Sequence, residues 1–150
     1  SNKIDKAKQI LLNVKGKIED SPTKFKEELA RTYNNLGVCY NRFERDSGDL
    51  DEAVRYFQLA LDIKPDFTKA KINLSSVHLN KGSEKDFEEA YNIAEQLWNR
   101  SDKRDSTIFE IFIWSKFHHQ SPQKAIDFYE NSKEAQELVM IFSSIIKNSE

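Results

Sequence analysis

Apolar side chains recur every three or four residues along most of this chain, which is the spacing of one face of an α-helix. The first stripe covers residues 3–19 and the last covers residues 134–148. Between them, similar stripes predict a helix ending near residue 45, one over 67–81 and four others. The pattern therefore predicts an all-α chain of about eight helices.

Residues that begin and end helices mark several of the predicted boundaries. Ser21 and Ser121 each precede a proline, which favours a serine N-cap with proline at the first helical position. Asp49, followed three residues later by a glutamate, predicts a capping box at the start of the third helix. Gly82 predicts the end of the fourth helix. Residues 45–47 and 83–85 are then expected in lengthened turns, which a chain tolerates at small entropic cost.

A glycine inside the second predicted helix indicates close packing between two helices. Gly37 costs roughly 1 kcal/mol relative to alanine in a helix interior, so a neighbouring helix is expected to lie too close for a side chain. Ser75, at the equivalent place in the fourth helix, is also small. Ile113 is bulky at the next equivalent place, so the third helix pair is expected to splay or shift.

An internal repeat supports this arrangement. The segment 86–90 repeats the order of residue types in 49–53 at a distance of 37 positions, and Ala125 and Tyr129 match Ala53 and Phe57. Each helix pair alone leaves an apolar face uncovered, so pairs are expected to stack and share a continuous core.

These residues resemble the tetratricopeptide repeat (TPR), a helix-turn-helix unit of about 34 residues. The resemblance rests on the order of Tyr33, Leu36, Gly37, Tyr40, Ala53, Phe57, Ala60 and Pro65. It implies an α-solenoid of stacked antiparallel helix pairs wound into a right-handed TPR superhelix. It divides a single domain, 3–148, into a flanking helix 3–19, repeat units at about 30–67, 68–105 and 106–133, and a C-terminal capping helix 134–148.

Composition narrows the class of protein. The 150 residues include 38% hydrophobic and 32% charged residues with a net charge of −2, so nothing attracts nucleic acid or an anionic membrane globally. No apolar run approaches the roughly 20 residues that span a bilayer, so no membrane insertion is expected. The single cysteine excludes an internal disulfide and favours a reducing, cytoplasmic location. The start Ser1-Asn2 is typical of a cloning remnant and favours a fragment of a longer protein.

The sequence shows no catalytic, cofactor-binding or metal-binding pattern. His118 and His119 are adjacent on a helix and point about 100° apart, which disfavours a shared metal ion. His78 lacks ligands one turn away, and Cys39 is expected to be a core thiol rather than a nucleophile. We therefore expect no enzyme activity, no cofactor and no metal site.

The resemblance implies instead a concave groove, lined by the first helix of each unit, that binds a protein or peptide. By position, the groove residues are Arg31, Asn34, Val38, Asn41, Arg42, Lys69, Ile72, Asn73, Ser76, Asn80, Glu110, Trp114, Phe117 and His118. Asparagine side chains suit an extended peptide backbone, and tryptophan is frequent among binding hot spots. A two-carboxylate clamp, as in chaperone-binding members, is not expected, because only Asn73 matches its residues.

Other interpretations stay open on sequence alone. One alternative is that the asparagines only solvate a helix face and that Trp114 packs against the C-terminal helix. The domain is alternatively a regulatory sensor for a small peptide or metabolite, or a structural spacer. A nucleic-acid-binding repeat is disfavoured because Glu110 and neutral asparagines dilute the basic residues. The apolar residues of the C-terminal helix leave self-association through that helix open as well.

Overall fold

The computed structural model describes residues 2–19, 25–43, 47–101 and 105–131. These residues form seven α-helices and contain no strand, which confirms the predicted all-α fold of antiparallel helix pairs. The helices are α1 (Asn2–Glu19), α2 (Lys26–Phe43), α3 (Ser47–Ile63), α4 (Thr68–Lys81), α5 (Glu84–Arg100), α6 (Ser106–His119) and α7 (Pro122–Asn131). The predicted helix 134–148 and the predicted cap at Ser21 lie outside the described residues.

The chain divides into two compact units, Ser1–Gly82 and Ser83–Glu150. The first unit holds α1 to α4, and the second holds α5 to α7. The sequence-based repeat 68–105 therefore has one helix in each unit. The single domain over 3–148 and its three repeat units stay predictions.

The core of the first unit lies where α2 meets α3. α1 packs against α2, α3 packs against both α2 and α4, and α2 also contacts α4. Tyr56 of α3 places its ring 6.1 Å from that of Tyr33 and 5.5 Å from that of Tyr40. The buried residues of this core are Leu29, Tyr33, Leu36, Tyr56, Ala60 and Ala70. Gly37 is buried against Phe57 of α3, which confirms the close approach that the retained glycine predicts.

The second unit has a core of aromatic side chains between α5, α6 and α7. The rings of Trp98 and Phe112 stack with their centroids 5.5 Å apart, and Phe128 meets both rings edge-on. On α6 the fully buried small residue is Ser115, whose hydroxyl donates to the Phe112 carbonyl, whereas Ile113 is half-buried.

Two of the predicted helix boundaries are correct. α4 ends at Gly82, which has a left-handed backbone with φ of 74° and donates its N–H to the His78 carbonyl. The hydroxyl of Ser121 accepts the N–H of Lys124 at the start of α7, as the serine-proline pair predicts.

Two other boundaries are wrong in the same direction. α3 begins at Ser47, so Asp49 lies in its first turn and is not the N-cap. α5 begins at Glu84 after an N-cap at Ser83, whose hydroxyl accepts the N–H of Asp86. Glu84 and Lys85 therefore belong to a helix and not to a lengthened turn. Serine and aspartate are both good N-caps, and in each case the helix starts earlier than the aspartate suggests.

Candidate functional site

The residues predicted for the groove in the first unit differ widely in exposure. Asn34 is buried, with 3% of its surface exposed, whereas Arg31, Lys69 and Asn80 are exposed. The remaining groove residues are half-buried: Val38, Asn41, Ile72, Asn73 and Ser76. The side chain of Arg42 lies outside what the structure describes.

Four of these residues form two amide pairs that join α2 to α4. Nδ2 of Asn73 donates to Oδ1 of Asn34 at 2.9 Å, and Nδ2 of Asn80 donates to Oδ1 of Asn41 at 3.0 Å. Both pairs join residues 39 positions apart, so α2 and α4 run in the same direction with matched register. We call these four residues the asparagine ladder.

The ladder leaves hydrogen-bonding capacity on its outer side. An asparagine amide has two N–H donors and an oxygen with two lone pairs, and each pair uses one donor and one lone pair. In the first pair, Nδ2 of Asn34 also donates to Oδ1 of Asn35 at 3.5 Å. The second pair is the more accessible, because Asn80 is exposed and Asn41 is half-buried. The two pairs are two helical turns apart, about 10.5 Å along each helix axis.

Two cationic side chains flank the buried end of the ladder. Arg31 precedes Asn34 by three residues and Lys69 precedes Asn73 by four, so each lies one turn away on the same side of its helix. Both are exposed, and neither has an ion-pair or hydrogen-bond partner among the residues that the structure describes. Elsewhere in the unit, Lys64 pairs with Glu27 and Lys81 pairs with Asp51.

In the second unit, the groove residues predicted on α6 share an exposed face. Trp114 is 51% exposed and Phe117 is 36% exposed, and their rings meet at 5.9 Å. His118 lies 5.9 Å from Trp114 and 5.3 Å from Phe117, and Glu110 is exposed one turn earlier. We call Trp114, Phe117 and His118 the α6 aromatic cluster. Packing of Trp114 against residues 134–148 falls outside the described residues.

A cavity beside this cluster was not predicted from the sequence. It has a volume of about 430 Å³ and lies between the start of α5 and the end of α6. Its lining residues are Glu84, Lys85, Phe87, Glu88, His118 and His119. The sequence placed Glu84 and Lys85 in a turn, which hid the fact that Glu84 and Glu88 are one helical turn apart. We call this space the α5–α6 cavity.

The remaining reactive groups of the described chain do not resemble a catalytic centre. Burial raises the pKa of the half-buried Cys39 thiol, opposed by the positive charge of Lys8, so the thiol stays protonated at neutral pH. Within the described ranges there is no group of three His, Cys, Asp or Glu side chains suited to a metal ion. No described helix is both long and apolar enough to cross a membrane.

Comparison with protein-family models gave one match, to part of the chain. The family model described as tetratricopeptide repeat matches residues 30–67, which contain most of α2, all of α3 and the turn after it. The search of curated proteins found no match, and the search of solved structures found none either. The matched segment holds the close approach of Gly37 and Phe57 that the sequence pattern predicted. Residues 30–67 therefore contain one tetratricopeptide repeat.

Proposed function

We propose that this chain is a protein- or peptide-binding scaffold module, part of a larger protein or assembly. Tetratricopeptide repeats are generally non-catalytic scaffolds for protein interactions. The proposed partner segment lies along the asparagine ladder of the first unit, and the α6 aromatic cluster is a second contact surface. The single cysteine suits a reducing, cytoplasmic location.

The observation that carries the proposal is the asparagine ladder. Its pairs hold the amide groups in fixed positions before a partner arrives, so less side-chain entropy is lost on binding. Their separation of about 10.5 Å matches roughly three residues of an extended chain at about 3.3 Å each. An extended segment would thus present a backbone group to each pair in turn.

Charged and apolar side chains near the proposed surfaces determine which side chains of a partner bind well. Arg31 and Lys69 are exposed and unpaired within the described chain, which favours an acidic group at that end of the partner segment. Trp114 and Phe117 supply exposed aromatic surface of the kind found at binding hot spots.

A peptide selection tests the proposal. The 150-residue chain is used to select from a phage-displayed library of random 12-residue peptides, and binding of the enriched peptides is measured by isothermal titration calorimetry. We expect the enriched peptides to contain acidic residues. Arg31→Glu combined with Lys69→Glu is expected to weaken the binding of these peptides about tenfold or more. The charge-matched control is Lys26→Glu combined with Lys124→Glu, two exposed lysines that lie outside the proposed surfaces.

The result that would overturn the proposal is equally specific. If no peptide is enriched, or if both double variants weaken binding equally, the ladder face is not the binding surface. The spacer interpretation would then explain the chain better.

A further inference from the structure

The α5–α6 cavity has one wall made of stacked rings. The ring centroids of Phe87 and His118 lie 4.7 Å apart with 13° between the ring planes. Trp114 stacks on His118 at 5.9 Å, which extends the aromatic surface beyond the cavity. Such rings attract a flat or cationic group that lies over their faces.

The cavity lining also carries two carboxylates that have no partner among the described residues. Glu84 and Glu88 are exposed on successive turns of α5, and neither has a hydrogen-bond or ion-pair partner in the described part of the chain. This differs from Glu52, Glu27 and Asp51, which pair with Arg55, Lys64 and Lys81. Lys85 also lines the cavity and offsets one of the two carboxylate charges, so the acidic and lysine side chains together leave one negative charge in the lining.

We propose that the α5–α6 cavity binds the arginine side chain of a partner protein. The guanidinium group is planar, so it stacks on aromatic rings, and its five N–H donors form a fork that fits carboxylates. The cavity offers an aromatic surface and two free carboxylates to one side chain, which an apolar side chain or an anion would not use. A volume of about 430 Å³ accommodates such a side chain.

This inference deepens the proposed function and rests on it for its biological meaning, because His118 belongs both to the cavity and to the α6 aromatic cluster. It does not depend on the asparagine ladder, which lies in the first unit. A partner that binds the chain is therefore expected to contain an arginine that the cavity selects.

A small arginine probe tests the cavity without any peptide. The ¹⁵N-labelled 150-residue chain is titrated with N-acetyl-arginine amide and followed by two-dimensional NMR. We expect saturable shifts for the amides of residues 84–88 and for the His118 ring, with weak binding in the millimolar range. N-acetyl-citrulline amide, which has nearly the same shape but no charge, is expected to bind about tenfold more weakly or not at all.

Three variants locate the probe. Glu84→Gln combined with Glu88→Gln is expected to weaken binding of the arginine probe about tenfold, because the charged hydrogen bonds are lost. The matched control is Glu89→Gln combined with Asp62→Asn, exposed carboxylates outside the cavity with the same change of net charge. Lys85→Gln is expected to strengthen binding about twofold or more, because it removes a repelling charge.

The outcomes separate this inference from the proposed function. Equal binding of arginine and citrulline probes, or equal loss in the two double variants, overturns the cavity assignment. If the arginine probe binds as expected while the phage selection finds no peptide, the cavity assignment survives and the proposed function fails. Selected peptides that bind equally well with every arginine replaced by citrulline support the proposed function and overturn this inference.

Discussion

The ring of Phe57 occupies the space where a side chain on Gly37 would begin. A Cβ atom built on Gly37 would lie 2.6 Å from Cε1 of Phe57 and 2.8 Å from two further ring atoms. Phe57 is fully buried, so its ring cannot turn out into solvent to make room for a side chain. The approach of α2 to α3 therefore depends on the absence of a side chain at this position.

Gly37→Ala is expected to destabilise the chain. Overpacking a buried site typically costs about 1–3 kcal/mol, while alanine regains roughly 1 kcal/mol of helix propensity. The net loss should be up to about 2 kcal/mol in the free energy of unfolding, measured by urea denaturation followed by circular dichroism.

Gly16 provides the matched control for this substitution. A Cβ atom at Gly16 of α1 would meet nothing within 4 Å, so Gly16→Ala gains propensity without a clash. We expect Gly16→Ala to stabilise the chain by about 0.5 kcal/mol. An equal gain in stability for Gly37→Ala would show that Phe57 does not restrict that position.

Most of the fold could be predicted from the sequence because helices and their ends depend mainly on residues close together in the chain. Gly37 and Gly82 report on backbone geometry at their own positions, and the order of residues around Gly37 identified the repeat. The starts of α3 and α5 were misplaced because several residues near each start are competent N-caps. Only the geometry of the hydrogen bonds decides between Ser83 and Asp86.

The candidate site was less predictable because its features join distant segments. The resemblance to the tetratricopeptide repeat placed Asn34 and Asn73 on the proposed binding face, but their mutual hydrogen bond depends on the register of α2 against α4. The α5–α6 cavity combines Glu84 with His118, 34 positions later, and no periodic pattern relates those two residues.

The two pairs of the asparagine ladder are expected to contribute unequally to stability. Asn73→Ala leaves the buried amide of Asn34 without its Asn73 partner, which should cost about 1–2 kcal/mol in the free energy of unfolding. Asn80→Ala affects an exposed pair and should cost under about 0.5 kcal/mol. Urea denaturation of both variants checks the difference, and equal losses would contradict the argument from burial.

The two tryptophans of the second unit are expected to have separate roles. Trp98 is 3% exposed and stacks on Phe112, so Trp98→Ala should lower the free energy of unfolding by about 3–5 kcal/mol. Trp114 is half exposed, so Trp114→Ala should change stability by less than about 0.5 kcal/mol. Thermal and urea unfolding measure both effects. A large loss of stability for Trp114→Ala would mean that this ring is a packing residue and not a binding surface.

Tyr91 is expected to make the chain less stable at alkaline pH. Burial, and then the hydrogen bond to the Glu95 carboxylate and its negative charge, raise the pKa of Tyr91 to about 12. A tyrosine in the unfolded chain has a pKa of about 10, so the folded state holds this proton more tightly. The resulting stability is fully present below about pH 10 and is lost as the pH rises through about 12. The loss should be on the order of 2 kcal/mol.

Two tyrosine-to-phenylalanine variants test this assignment, because neither phenylalanine has a hydroxyl that ionises. Tyr91→Phe should lack this part of the stability loss between pH 10 and 12, whereas Tyr129→Phe, at an exposed position, should retain it. Urea denaturation at intervals from pH 8 to 12 gives the free energy of unfolding, and absorbance at 295 nm follows tyrosine ionisation in the folded chain. If the two variants lose stability equally over this range, the alkaline transition arises from other groups and Tyr91 does not control it.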